Sequence, residues 1–465
     1  MGPKAPHAVF GLLCSQLVDI LRSSGIIARD VLIALVKMLS WGAEMRIDEI
    51  QVKGFRCFSD STFQFNPEFN LIVGNNQAGK TSILEALAVA AGAWLQGIRG
   101  MDKRNLTQDD VLLRPRFTKD GRFQSFEEAE LTSVTAKGEV LGQSLEWSRD
   151  VKGRKGRTTS VNAKKMIQLA EESATTVRAG RPIVLPLISY YGTERLWLIP
   201  KDMQKLKPSR KQEELSRLEG FNNSLDKRCN PITFLRWMQR QEWIAFQEHT
   251  QQPIALAVKQ AVAICLENAS KLWFSAKEGT ILVEFEGQRV RSFSSLSDGL
   301  RNMASMVGDI AIKAAQLNPH LDDKAIVETP GIVLIDELDM HLHPRWQRRI
   351  VHDLKRTFPK IQFICTTHSP QIIGEVRPEE LIMLEAGEAT SPENSLGMDS
   401  NRVLQELMDA PARNEKIQGE MDAITELIGS DEFEAAKEKI ELLKNAVGDH
   451  DPEILHFESM INFLE

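Results

Sequence analysis

The sequence predicts an α/β fold: a mixed, mostly parallel sheet with an antiparallel β layer, a helical insert and a helical C-terminal tail. Three observations lead there. The apolar run FNLIVG ends at Gly74, and a short glycine loop separates it from SILEALAVAAGAWL, which has helical periodicity. GIVLIDE, four aliphatics closed by two acids, lies between helix-like segments at 298–316 and 344–357. IQFICTTH and ELIMLEA continue the alternation, which implies parallel strands with both faces covered.

The elements follow in order. Residues 1–44 are apolar and helix-like, but Asp19, Arg22, Arg29 and Asp30 interrupt them, so they do not read as an export signal. They are either an over-called translation start or an accessory helical arm. Met45 opens RIDEIQVKGFRCF. Residues 46–58 and 61–73 alternate as strands. Short strands are expected over 120–150, then a basic loop, VKGRKGR, at 151–157 and a helix at 161–175. LPLISYYG at 185–192 reads as a buried strand. Residues 200–275 read as mostly helical, and TILVEFEG with RVRSFSS as a hairpin. In the tail, 401–465, Asp431 and Glu434 fit a capping box, Gly448 stops the helix, and Asp451-Pro452 starts another.

Composition excludes several classes. The chain has 465 residues, 42% of them hydrophobic, enough for a large core in two or three domains. No apolar run reaches the roughly 18 residues of a membrane span. The formal charge of -7 rules out a uniformly basic nucleic-acid binder. Cys14, Cys57, Cys229, Cys265 and Cys365 are scattered, without a CxxC pair, so a reduced, cytoplasmic protein is expected.

Residues 74–81, Gly74-Asn75-Asn76-Gln77-Ala78-Gly79-Lys80-Thr81, match GxxxxGK[ST] completely. The glycines let the backbone wrap a phosphate, successive N–H groups form an anion nest, and the following helix adds its positive end. Residues Gly74 to Ser82 are therefore the expected ATP cradle. Lys80 would reach the β- and γ-phosphates, and the Thr81 hydroxyl would ligate Mg²⁺. Asp336 would hold the magnesium shell and Glu337 would polarise the attacking water. His368 ends the neighbouring strand and can donate to the γ-phosphate or the water. His341 and His343 stand at i, i+2, but their place between the carboxylates and a helix begun by Pro344 argues for a structural role. Residues 296–300, LSDGL, open a helix about 36 residues before Asp336. Ser297 and the N–H groups of Asp298 and Gly299 offer an anion site at that helix start.

GNNQAGKT, LSDGL, IVLIDE and TTHSP, with the opening IDEIQVKGFRCF, resemble the RecF/SMC/OLD-like branch of ABC ATPases, most clearly over 46–120 and 290–395. The signature departs from LSGGQ, with Asp for the first Gly and Leu for Gln. The resemblance implies an ABC-type P-loop ATPase head: one lobe at 45–199, an insert at 200–290, a second lobe at 291–395 and a tail from 396. It also implies an ATP-sandwiched dimer or higher homo-oligomer, in which the signature of one copy meets the γ-phosphate of another. SYYGTERLW and the tail look like a narrower bacterial group that includes the Septu anti-phage ATPase subunits (PtuA). That likeness implies regulation of a separately encoded HNH nuclease, contact with DNA through the complex, and Arg56 near the nucleotide. An SMC or Rad-type protein would need long heptad runs between the lobes, and an OLD-type nuclease a metal-binding carboxylate domain after them. Only about 97 residues follow His368, with no strand-borne Glu and D-x-D, so no nuclease centre is expected in this chain. A RecF-like repair ATPase is one alternative, and a binding-only scaffold whose occupied ATP site hardly turns over is another. For the repair ATPase the basic clusters Lys152, Arg154, Lys155, Arg157 and Lys201, Lys205, Lys207, Arg210, Lys211 could track a phosphate backbone.

Overall fold

The computed structural model describes residues 44–196, 216–228, 231–266, 269–287, 289–385 and 387–464. The leader to residue 43, Cys14, Cys229 and the Lys201–Lys211 cluster lie outside the described residues.

Chain order begins with β1 (Met45–Phe55), β2 (Phe58–Gln64), β3 (Phe69–Gly74) and α1 (Lys80–Gln96). The run expected as one strand at 61–73 is two, because Pro67 lacks an N–H and ends the ladder. β4 (Leu113–Phe117) and β5 (Phe123–Glu128) form a hairpin, followed by β6 (Leu131–Val140), β7 (Gln143–Lys152), α2 (Lys164–Arg178) and β8 (Leu187–Tyr191). The insert contains α3 (Pro231–Glu248), α4 (Pro253–Cys265), β9 (Ala269–Ser275), β10 (Thr280–Phe285) and β11 (Arg289–Ser292). Here the helical expectation ran too far: KLWFS is strand. Its alternation buries Leu272 and Phe274 on one face, and it pairs antiparallel with β10.

The second lobe runs α5 (Asp298–Leu317), β12 (Gly331–Ile335), α6 (Pro344–Thr357), β13 (Ile361–Thr366), β14 (Leu381–Glu385) and β15 (Glu388–Thr390). The main sheet has the order β15-β14-β3-β13-β12-β8, parallel except for its β15 edge. The antiparallel layer has the order β2-β1-β6-β7. Every residue of β8, β12 and β13 is buried, which explains their unbroken apolar runs. Helix α1 lies between the two sheets, touching β6 and β7 on one side and β12 and β13 on the other. A helix covered on most sides is mostly apolar, and its small residues Ala86, Ala88, Ala90, Ala91, Gly92 and Ala93 permit the close approach. The Trp147 indole N–H donates to the Ala90 carbonyl at 3.0 Å, tying layer to helix.

Three helices, α7 (Glu415–Gly429), α8 (Phe433–Val447) and α9 (Pro452–Leu464), complete the chain around a cluster of their own that includes Ile424, Ile440 and Phe457. The capping box is not formed. Asp431 sits at φ 60° in the connection, Glu432 becomes the N-cap without a side-chain bond, and Gly448 at φ 92° ends the helix. No helix among the described residues is long and apolar enough to cross a membrane.

Candidate nucleotide site

Parallel pairing brings the distant motifs to one end of the sheet. β13 lies between β3 and β12, with Thr366 opposite Ile72 and Cys365 opposite Ile335. The loop after β3, the acids after β12 and His368 after β13 therefore leave from the same carboxyl edge, where open α/β sheets bind ligands.

The loop geometry needs its glycines. A Cβ on Gly74 would stand 2.3 Å from the Leu384 carbonyl oxygen. Gly79 has φ +102°, and a Cβ there would meet the Phe58 ring at 2.6 Å and Cys57 Sγ at 2.7 Å. Gln77 is also left-handed, at φ 74°. Asn75, Asn76 and Gln77 are exposed, while Ala78 and Ser82 are half-buried. Lys80 is buried, and its Nζ donates to the carbonyls of Gly74 at 2.7 Å and Asn75 at 3.2 Å. Burial pulls its pKa down, and the carboxylates of Asp336, Glu337 and Asp339 push it up; the net lies below the usual lysine value.

The two expected magnesium ligands touch. Thr81 Oγ1 donates to Asp336 Oδ2 at 2.9 Å, and Thr366 Oγ1 donates to Asp336 Oδ1 at 2.6 Å. A hydroxyl and a carboxylate form a hard oxygen pair that fits Mg²⁺, which takes few protein ligands and completes its octahedron with water and phosphate. Glu337 is left-handed, at φ 49°, a strained backbone that neighbours must hold. Its N–H donates to Thr366 Oγ1 at 2.8 Å. The Arg195 guanidinium, 3% exposed, donates to the carbonyls of Asp336 and Glu337, both at 2.6 Å, and to that of Gly192 at 3.0 Å. It clamps the main chain that carries both acids. Asp339 accepts from Thr367 Oγ1 and from the His368 N–H at 3.2 Å, fixing the histidine's backbone to the same loop.

Ser297 caps α5, its Oγ accepting from the Leu300 N–H at 3.5 Å. Ser297 and Asp298 are exposed. The Asp298 carboxylate turns along the helix to pair with Arg301. Gly299 lies against the loop after Glu337: a Cβ there would stand 2.2 Å from the His341 carbonyl oxygen. His343 caps α6, its Nδ1 accepting from the Arg345 N–H at 3.3 Å. Among the described residues no group of three or more His, Cys, Asp or Glu is arranged to hold a metal ion.

Arg56, on the β1–β2 turn whose Cys57 and Phe58 pack on Gly79, enters a buried charge cluster. It donates to Asp110 from Nε at 2.9 Å, and its Nη2 lies 3.7 Å from Glu85. Arg104 Nη2 pairs with Glu85 at 2.8 Å and with Asp110 at 3.2 Å, while Lys227 and Tyr190 also reach Glu85. Glu85, on the second turn of α1, is wholly buried. Burial raises its pKa, but the Lys227 hydrogen bond and the Arg104, Lys227 and Arg56 charges outweigh it and hold the carboxyl below its ordinary value. Asp110 is lowered in the same way, burial being outweighed by Arg104, Thr107 and Arg56. A depressed carboxyl pKa stabilises the fold above the unfolded value, near 4.5 for Glu85, and that contribution is lost as pH falls through the lower folded value. Glu85→Ala should lower unfolding free energy by about 3 kcal/mol at neutral pH, the low end for breaking a buried pair because the cations are partly exposed. The deficit should shrink in acid. A denaturant series at neutral and acidic pH reads it, and equal deficits at both would show that the charge is not what Glu85 contributes.

The motifs did not reveal Arg195, Thr366, Asp339 or the Glu85 cluster as parts of this site. The hydroxyls before His368 and the second acid after Asp336 were visible in the sequence. Nothing local distinguished Arg195 or Glu85 from surface charge.

Residues 49–238 match a family model described as an AAA domain, and residues 188–373 one described as an AAA ATPase domain. The matched models and the motif placement define the class as a P-loop ATPase with AAA-type ATPase domains. The chain is similar to retron probable ATPases and to the Septu protein PtuA. It is 23% identical over 398 residues to the retron Vc95 probable ATPase of Vibrio cholerae serotype O1 biovar El Tor, covering 73% of each chain. It is 24% identical over 358 residues to the Septu protein PtuA of Bacillus thuringiensis, covering 73% of this chain and 75% of the other. The DNA replication and repair protein RecF of Streptococcus agalactiae is 28% identical over 186 residues, covering 40% of this chain and 43% of the other.

Proposed function

We propose that this chain binds and hydrolyses ATP with Mg²⁺ between two copies of itself, and that the cycle scaffolds and gates a separately encoded HNH-type nuclease in anti-phage defence. The observation that carries the ATPase reading is the 2.9 Å bond from Thr81 to Asp336, two residues 255 positions apart, beside the buried Lys80. In this reading Gly74–Ser82 cradle the phosphates, Lys80 holds the β- and γ-phosphates, and Thr81 and Asp336 share the magnesium shell. Glu337 orients a water for in-line attack on the γ-phosphorus. The γ-phosphoryl group passes to that water and ADP leaves. His368 donates to the γ-phosphate or the water. Arg56 lies near the nucleotide, and Ser297 with the Asp298 and Gly299 N–H groups caps the γ-phosphate held by the second copy. The exposure of Ser297 and the turn of Asp298 toward Arg301 support that last role, since a carboxylate facing a phosphate would repel it.

The nuclease partnership is supported by the likeness to Septu and retron ATPases over most of the chain. The RecF match supports the second reading, a repair ATPase acting directly on DNA. Co-purification with the product of the adjacent gene, then DNA cleavage with and without ATP, separates them. We expect a complex whose cleavage responds to ATP, and no cleavage by this chain alone with Mg²⁺ or Mn²⁺. A chain that purifies alone and turns over ATP faster on gapped DNA would favour the repair reading.

A further inference from the structure

The β4–β5 hairpin stands away from the body. Each of its strand residues is exposed except Leu113, and its two strands pack chiefly on each other. Cross-strand pairing puts Pro115 opposite Phe126 and Phe117 opposite Phe123, so one face is apolar. Phe117, Phe123 and Phe126 are 58%, 55% and 58% exposed, with ring centroids 6.3 Å apart for the first pair and 5.0 Å for the second. Three large rings on one exposed face of a two-stranded ribbon are unusual for a surface that meets only water.

Cations lie beside and behind these rings, with Arg114 and Arg116 on the strand face opposite them. Arg114, Arg116, Lys119 and Arg122 lie on the hairpin, and the basic loop Lys152–Arg157 folds against its root. The Arg154 N–H donates to Glu128 at 3.2 Å, and the Gly153 N–H to the Glu130 carbonyl at 3.2 Å. Counting Lys152, Arg154, Lys155 and Arg157, eight basic residues stand against Asp120, Glu127, Glu128 and Glu130 in a chain of net charge -7. The acids are partly committed: Glu127 pairs with Arg116 at 2.9 Å and Glu128 accepts from Arg154. The root is held firmly. Leu112 N–H donates to the Gly54 carbonyl at 2.9 Å, and the Ala129 N–H to the Leu112 carbonyl at 3.0 Å.

We infer that this hairpin and loop are a contact surface for single-stranded nucleic acid. Bases stack on Phe117, Phe123 and Phe126, and the phosphates run over the hairpin and loop cations. Flat exposed rings among cations provide the two interactions that hold a single strand: sequence-tolerant stacking and charge neutralisation. A duplex keeps its bases stacked internally and offers the rings nothing. A protein interface would also favour the phenylalanines and arginines, but Lys119, Lys152 and Lys155 count against one, because lysine is depleted there. The inference goes beyond the ATPase reading and does not depend on it.

The test is fluorescence anisotropy of the full chain, without nucleotide, with labelled oligothymidylate of about 16 nucleotides and with a duplex of the same length. The single strand should bind more tightly than the duplex. Phe123→Ala with Phe126→Ala should weaken it at least about tenfold, from stacking losses of roughly 1–3 kcal/mol per base. Lys155→Ala with Arg157→Ala should reduce the slope of log K against log salt by about 0.7 for each phosphate that is no longer neutralised. Because the hairpin is exposed, these variants should keep the parent's thermal midpoint. Three results would overturn the proposal: no oligonucleotide binding at about 50 mM salt, duplex binding as tight as single strand, or binding unchanged by the phenylalanine variant. If that variant changes only oligomer size or nuclease capture, the face is a protein interface instead.

Discussion

Lys80→Ala should weaken ATP binding by at least about a hundredfold, roughly 3 kcal/mol, the upper range for a hydrogen bond to a charged group. The magnitude follows from the position. Lys80 is buried at the first turn of α1, among Asp336, Glu337 and Asp339, and among the described residues it donates to the Gly74 and Asn75 carbonyls. A triphosphate would give the ammonium a far stronger partner and would balance the three carboxylates. Without that charge, the anion would face the acids with only the loop N–H groups and the helix end to hold it. Titration with a fluorescent ATP analogue reads the effect, with the thermal midpoint as a control for folding. Unchanged affinity in a folded variant would remove the central site assignment.

Glu337→Gln should leave ATP binding intact, slow phosphate release by about 10²- to 10⁴-fold and prolong the ATP-bound dimer. The substitution isolates the chemistry because the strained backbone at Glu337 is held through main-chain atoms. Its N–H bonds to Thr366 and its carbonyl to Arg195, and glutamine keeps both. Only the carboxylate that would orient the water is lost. Steady-state phosphate release and light scattering with ATP measure the two consequences. Turnover and dimer lifetime both equal to the parent would assign water activation to another group, with Asp339 next in line because it already holds the His368 N–H.

The two predictions differ in what made their residues legible. Lys80 belongs to a contiguous loop whose chemistry is written in eight consecutive residues. Glu337 closes an aliphatic run, and the next strand ends in TTH, so the neighbourhood of β12 and β13 could be expected from alternation alone. Arg195 was not legible as a clamp. The two partners that matter to the acids are carbonyls about 140 residues away, and a carbonyl leaves no mark in sequence. Glu85 was hidden for a related reason. It occupies an apolar helix face, and only the fold shows that Arg56, Arg104 and Lys227 converge on it from three separate segments. The extra length assigned to the insert helices reflects the opposite error. Aromatic runs such as KLWFS serve helix or strand equally until a partner strand is in place.

By itself the sequence determined the α/β class, the strand–loop–helix cradle, the acids at a strand end and the cap that opens α5, because each is local: a period, a turn or a run of neighbouring residues. Only the tertiary structure decided the order β15-β14-β3-β13-β12-β8, the meeting of Thr81 with Asp336, the clamp on the acids and the exposed ring face of the β4–β5 hairpin. Those depend on which distant segments are packed together. That choice is made by burying the whole set of apolar faces at once, and no single stretch of chain contains it.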